Sequence, residues 1–448
     1  MKSLLYTFLI TISLLSVSCK KFLDVKPQES ISDQQTIFDK LSAEEALRGA
    51  YSALADGNYY GTGFQSIGYL SGDNIQWTGS QSQIQEFINH KVSAENSTIS
   101  GAWTAIYRTI NRANNVIDKV PGVVDQQLSE SYKNQLIGEA YFIRGLGYFD
   151  LARTWGGAPI IIKPTINSTD NIGVERSSQS DTYTQALKDL EAAESLLPAT
   201  TTRYRATQKT VWALKARYYL YRGNWTKAEE YASKIITDAA NYKLLKPYNS
   251  FFASNAKGTQ ESVFEISYNG TTEVNNHRNQ WQPQTNGGTR QWAPNDAFVA
   301  LVNNPLVGGN RNTLVAKDNQ NRWFGNLYYR SPAADPSFVI RVAELYLIRA
   351  EARAQQNTNL QGAIDDLNAV RDRAGLAPTT AITQNEILLA IENERRIEFA
   401  LEPHRWFDLV RTNRAQVVLN ITDANKLLLP LPAQDLLLDK ALQQNPGY

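Results

Sequence analysis

Four tryptophans stand in polar, glycine-rich surroundings: Trp77 in GDNIQWTGS, Trp281 in NQWQPQTNGG, Trp292 in TRQWAPND and Trp323 in NRWFGNLYY. A flat ring on such a loop can pack against the C–H face of a pyranose while nearby Asn, Gln and Arg bond its hydroxyls. Small-ligand sites combine an apolar lining with a few placed polar groups in this manner. These four residues, with Tyr328 in the last of those stretches, are candidate ligand-binding residues. The alternative for each is that its ring anchors a loop into the local core. Asp73 and Asn74 precede Trp77 in a Gly-flanked loop and join the candidates, although both residue types also close turns on their own backbone.

Residues with the means for catalysis are sparse. His404, Arg405 and Asp408 flank Trp406 in ENERRIEFALEPHRWFDLVRT, but no nucleophile motif accompanies them. Along the same stretch Glu394, Arg395, Arg396 and Glu398 alternate in sign, the pattern of a salt-bridged helix face. With 3 His in 448 residues and no metal-ligand spacing, neither a metal nor a cofactor is expected. A glycosidase needs two carboxylates set ~5–10 Å apart across a cleft, and nothing in the sequence singles out such a pair. The chain carries 45 basic and 44 acidic residues, a formal charge of +1. That balance offers no concentrated basic surface for nucleic acid.

Helices must position these loops. In TQKTVWALKARYYLYRGNWTKAEEYASKIITDAA (207–240), Trp212, Ala216 and Tyr219 share one helical face, Gly223 and Asn224 break the pattern, and Trp225 and Ala228 open a second helix. This is close to a tetratricopeptide helix pair. Small residues let two helices approach and aromatics fill the groove beside them. A second pair is expected over 339–375, with Ala343, Leu347, Ala350 and Ala354 as its stripe, Ala363, Leu367 and Val370 facing them, and Gly375 as cap. A third joins 134–153 to a helix carrying Ala186, Leu190 and Ala193, and a fourth joins 43–55 to 102–120. The pairs are interrupted, unlike the steady period of a solenoid or of a protein-binding tetratricopeptide adaptor. The remaining Trp residues, 103, 155, 212, 225 and 406, fall within the helical stretches and are read as core. The expected fold is mostly α, a scaffold of helix pairs at about 30–240 and 339–420 with a loop-rich insertion at about 241–338.

The amino terminus has a separate purpose. A positive start is followed by an apolar run from Leu4 to Leu15, then Ser16, Val17, Ser18 and Cys19. The run is short of the ~20 apolar residues that span a bilayer and has the layout of a secretory signal. It resembles a bacterial lipoprotein signal, residues 1–18, with Cys19 as the lipidated first residue; Ser16 stands where such signals usually carry an apolar residue. An ordinary secretory signal, with Cys19 incidental, is the alternative. Cys19 is the only cysteine, so it has no internal disulfide partner.

Six further blocks, in order, resemble SusD-like (RagB-type) outer-membrane lipoproteins: CKKFLDVKP from Cys19, EAYFIRGLGYFDLARTWGGAPII from Glu139, RVAELYLIRAEARA, LNAVRDRAGL, ENERRIEFALEPHRWFDLVRT and the tail LLLPLPAQDL…QNPGY. The resemblance implies a single body, 19–448, on the cell surface of a Bacteroidetes bacterium. It implies glycan binding without catalysis, attachment to the membrane through the lipid, and a SusC-type TonB-dependent transporter as partner. Peptide or glycopeptide cargo is the alternative within the family. The family has no general ligand motif to carry over, so the candidate residues rest on their own context.

Overall fold

The computed structural model describes residues 36–167, 169–253 and 256–448. The signal segment and Cys19 lie outside the described residues. The scaffold begins with helices α1 (Lys40–Leu54), α2 (Gly63–Leu70), α3 (Ser82–Ile88), α4 (Ser97–Lys119), α5 (Glu130–Trp155), α6 (Gln179–Leu196), α7 (Gln208–Tyr221) and α8 (Trp225–Ile236). After the short α9 (His277–Trp281) and α10 (Asp296–Asn303) come α11 (Val342–Gln356), α12 (Leu360–Arg373), α13 (Gln384–Glu398) and α14 (Arg405–Arg411).

The four expected pairs are present: α7 packs on α8, α11 on α12, α5 on α6 and α1 on α4. The alanines allow this closeness. Ala216, Ala228, Ala343, Ala350 and Ala363 are all fully buried. In α5, Gly145 performs the same service, since a Cβ there would lie 3.1 Å from the Ala186 carbonyl oxygen of α6. Starts are marked by side chains that accept from otherwise unpaired helical N–H groups: Asn96 for α4, Thr207 for α7 and Thr383 for α13. Gly375, at φ 75°, follows α12 as expected. Trp103, Trp155 and Trp406 are buried, while Trp212 and Trp225 pack partly buried against the core.

The stretch expected as a loop-rich insertion is more ordered than its composition implied. It carries β2 (Ser262–Ile266), β3 (Trp292–Pro294), β4 (Val315–Lys317) and β5 (Trp323–Gly325). Together with β1 (Ile75–Trp77) and β6 (Ser337–Arg341), these form three antiparallel two-stranded sheets among the described residues: β1–β3, β2–β6 and β4–β5. Two of the three pairings cross the boundary between insertion and scaffold. Charge reinforces that joint. Arg311, Arg341 and Arg373 converge with Glu261, Glu394, Glu398 and Glu402 in a fully buried ion lattice. The alternating charges of 394–398 are thus salt-bridged, but toward the interior rather than along a solvated face. No described helix is long and apolar enough to cross a membrane.

Candidate functional site

The loop 71–81 is fixed from both sides. Asn295 donates its backbone N–H to the Asn74 carbonyl at 2.9 Å and its side-chain amide to the Asp73 carbonyl at 3.1 Å. The Asn74 amide donates to the Arg396 carbonyl at 3.0 Å and accepts from Arg396 Nε at 2.8 Å. Asp73 receives Arg405 Nε at 2.7 Å, with a second bond at 3.0 Å. Burial works against the Asp73 charge, but Arg405 and Arg396 outweigh it and hold its pKa below the usual carboxylate value. Asn74 is 1% exposed. Asp73 and Asn74 are therefore anchors tying the loop to α13 and α14. Their bonds run to distant elements rather than only to the loop's own backbone, as a self-contained turn would require.

Those anchors deliver β1 to β3 in the register Ile75↔Pro294, Gln76↔Ala293 and Trp77↔Trp292. The four loop tryptophans divide by burial. Trp281 and Trp292 are 0% and 3% exposed. Their rings lie 5.7 Å apart at 73°, and both pack on Tyr69, at 5.5 and 5.4 Å. Tyr328 is buried too, stacked on His277 at 4.5 Å. Such edge and stacked pairs contribute about 0.5–1.5 kcal/mol each beyond their buried area. Gly325 leaves no room for movement here, since a Cβ would come 2.6 Å from Trp281 Cε3. The expectation that Trp281, Trp292 and Tyr328 present themselves to a ligand is corrected: they are the insertion's own core, and their rings have no free face.

Trp77 and Trp323 are the two that remain partly exposed. The Trp77 indole rests on Gly79, where a Cβ would stand 2.3 Å from Cζ2. The ring borders a groove of about 410 Å³ lined by Ser80, Gln81, Ser82, Gln85, Glu86, Asn89 and Lys91. Gln85 donates to Asn89 at 3.0 Å, which sets one amide pair along the wall. Trp323 lies on the adjoining hairpin, paired with Lys317, whose ammonium sits 4.8 Å from its ring centre. Arg290 links the two edges. It donates from Nε to the Trp323 carbonyl at 2.8 Å and accepts from the Thr78 hydroxyl at 2.5 Å. An aromatic face beside amides and hydroxyls is suited to a polyhydroxylated ligand. Trp77 and Trp323 stood among the sequence candidates. Arg290, Gln81, Gln85, Asn89 and Lys91 did not, and only the neutral polar composition around Trp77 hinted at them.

A second cleft, of about 410 Å³, holds Glu351, Glu392 and Asp408 and so has the residue types of a hydrolase. Each carboxylate is already engaged. Arg411 grips Glu351 at 2.6 and 2.8 Å, Arg395 and Arg411 hold Asp408 at 2.7 and 2.9 Å, and Arg414 holds Glu392 at 3.0 Å. Burial would raise the Asp408 pKa, but Arg395 and Arg411 prevail and lower it. A glycosidase acid needs the opposite shift. His404 is buried against Phe399 at 4.5 Å, and burial followed by the surrounding arginines pushes its pKa well below 6.5. Among the described residues no group of three His, Cys, Asp or Glu side chains could hold a metal.

The fold is a mostly helical scaffold whose short strands carry an aromatic rim lined by amides and hydroxyls. Residues 21–220 match the family described as starch-binding, associating with outer membrane, and residues 321–426 match the SusD family. The chain belongs to the SusD family. A SusD-like protein of Formosa agariphila is 26% identical over 100% of this chain and 99% of its own length. The starch-binding protein SusD of Bacteroides thetaiotaomicron is 24% identical over 96% of each chain. Among solved structures, a SusD superfamily protein of Bacteroides vulgatus matches with a TM-score of 0.82 at 23% identity, covering 91% of this chain and 99% of that one. A laminarin-binding SusD-like protein matches with a TM-score of 0.80 at 24% identity, covering 92% and 100%.

Proposed function

We propose that this protein binds glycans at the cell surface, held there by lipid on Cys19, and passes oligo- or polysaccharide to a SusC-type TonB-dependent transporter. The observation that carries this reading is the Trp77 indole, propped on Gly79 beside a groove of amides and hydroxyls. Trp77 and Trp323 supply the ring faces, Gln81, Gln85 and Asn89 supply hydroxyl partners, and Asp73 and Asn74 hold the loop. The starch-binding description of the family and the laminarin-binding relative support a carbohydrate as cargo. The paired state of the Glu351–Asp408 cleft supports binding without hydrolysis. The test is affinity electrophoresis of residues 20–448 against purified polysaccharides, with product analysis after prolonged incubation. A retarded band with at least one polysaccharide and no released sugar is expected. Retardation by none, or release of reducing ends, would contradict the proposal.

A further inference from the structure

The next step rests on reading the Trp77 rim as a glycan site, and it concerns the charge of the ligand. Arg290 has φ 47°, a left-handed conformation uncommon for a residue with a side chain. Strained backbone of this kind persists where surrounding bonds over-determine it. Here the Arg290 N–H donates to the Gln282 carbonyl at 2.8 Å. Its carbonyl accepts from Thr78, and its Nε donates to Trp323. The result is a guanidinium pinned between the turn after Trp77 and the strand carrying Trp323. Its two terminal nitrogens have no partner among the described residues.

The neighbouring charges leave it uncompensated. Asp318, the carboxylate that acts on it, is already held by Arg322 at 2.8 Å. Lys317, over the Trp323 ring, and Lys91, in the groove, have no carboxylate partner among the described residues. The rim therefore sets Arg290, Arg322, Lys317 and Lys91 against Asp318 and Glu86, and Glu86 is turned to the Ser93 N–H and the Asn96 amide, on a chain whose total charge is only +1. Partial burial and the adjacent Arg322 both disfavour the Arg290 charge, so an arriving anion would relieve a cost already present. A guanidinium with both terminal nitrogens free presents the fork that carboxylate and sulfate groups accept in bidentate fashion.

We infer that the rim takes an anionic glycan, with Arg290 forked onto a carboxylate or sulfate group while Trp77 and Trp323 pack on the sugar rings. The test is calorimetric titration of the protein with polygalacturonate, a sulfated galactan and neutral laminarin, at low and high salt. At least one anionic polymer should bind about tenfold or more tightly than laminarin, and salt should erode that advantage. Preference for polygalacturonate identifies carboxylate as the recognised group, and preference for the galactan identifies sulfate. Arg290→Gln should abolish the preference and Arg290→Lys should restore part of it. Arg322→Gln, at an exposed position that leaves the pinned backbone alone, should reduce it. Laminarin bound as tightly as both anionic polymers, or a preference untouched by Arg290→Gln and Arg322→Gln, would overturn the inference while leaving glycan binding intact. Failure of every polymer to bind would instead strike the underlying glycan reading, and this inference with it.

Discussion

Replacing Glu398 by Gln probes the joint between scaffold and insertion. The Glu398 carboxylate accepts from Arg311 Nε at 2.7 Å, from Arg341 at 3.1 Å and from Arg373. Two of these arginines also hold Glu261, and the third holds Glu394, so the lattice runs from β6 and the residue before β2 into α12 and α13. Burial alone would raise the Glu398 pKa, but Arg373, Arg311 and Arg341 overcome it and bring it from 4.5 to about 2. That difference corresponds to about 3 kcal/mol of favoured ionisation. It agrees with the ~3–5 kcal/mol typical for removing one partner of a buried pair. Because the folded pKa is depressed, this contribution is complete above pH 4.5 and fades as pH falls toward about 2. Urea denaturation of wild type and Glu398→Gln, followed across that range, measures it. The variant should be about 3 kcal/mol less stable at neutral pH, with the gap closing in acid. A neutral-pH loss below about 1 kcal/mol, the scale of an exposed pair, would mean that the three arginines do not stabilise the Glu398 charge in this way. So would a gap that stays constant with pH.

Gly79→Ala should push the Trp77 ring off its seat, because the new Cβ would meet Cζ2 at 2.3 Å; glycan affinity should fall while the thermal midpoint changes little, as measured by titration and calorimetry. Burial holds His277 near pKa 3, down from 6.5, so the unfolded chain takes up a proton that the folded one refuses. Stability is then lost as pH drops below 6.5, and His277→Gln should flatten that part of the pH–stability curve seen in wild type. Cys19→Ala should move the protein from the membrane fraction to the soluble one; an unchanged membrane fraction would contradict the lipid anchor.

The helical scaffold was legible because its signal is local. The Ala stripes of α11 and α12, the Trp212–Tyr219 face of α7 and the Gly223–Asn224 break each repeat or fall within about three turns of helix. The site was legible only in residue type. Trp77 and Trp292 stand in similar polar contexts and oppose each other across β1–β3, yet Tyr69 and Trp281 close over Trp292 while Trp77, at the strand end, stays partly exposed. That pairing joins distant segments, and strands of three residues carry no periodicity to announce it. Trp281 looked exposed for the same reason: its covering ring, Tyr69, arrives from α2. Asp73 and Asn74 read as ligand or turn residues because their true partners, Arg396 and Arg405, lie at the far end of the chain. The buried lattice around Glu398 likewise took the form of an ordinary charged helix face in one dimension. Arg290 escaped notice because its positive φ and its bond to the Trp323 carbonyl are properties of the folded chain alone.

On the proposed reading Trp77 and Trp323, and not Trp281 or Trp292, contact the glycan. The most direct measurement is calorimetric affinity for the polysaccharide that retards wild type most, comparing Trp77→Ala, Trp323→Ala and the double variant. Loss of a stacking ring should weaken binding about tenfold per residue, a cost of ~1–2 kcal/mol, with unfolding midpoints near wild type because both rings are only partly buried. A double variant that binds with wild-type affinity would contradict the claim.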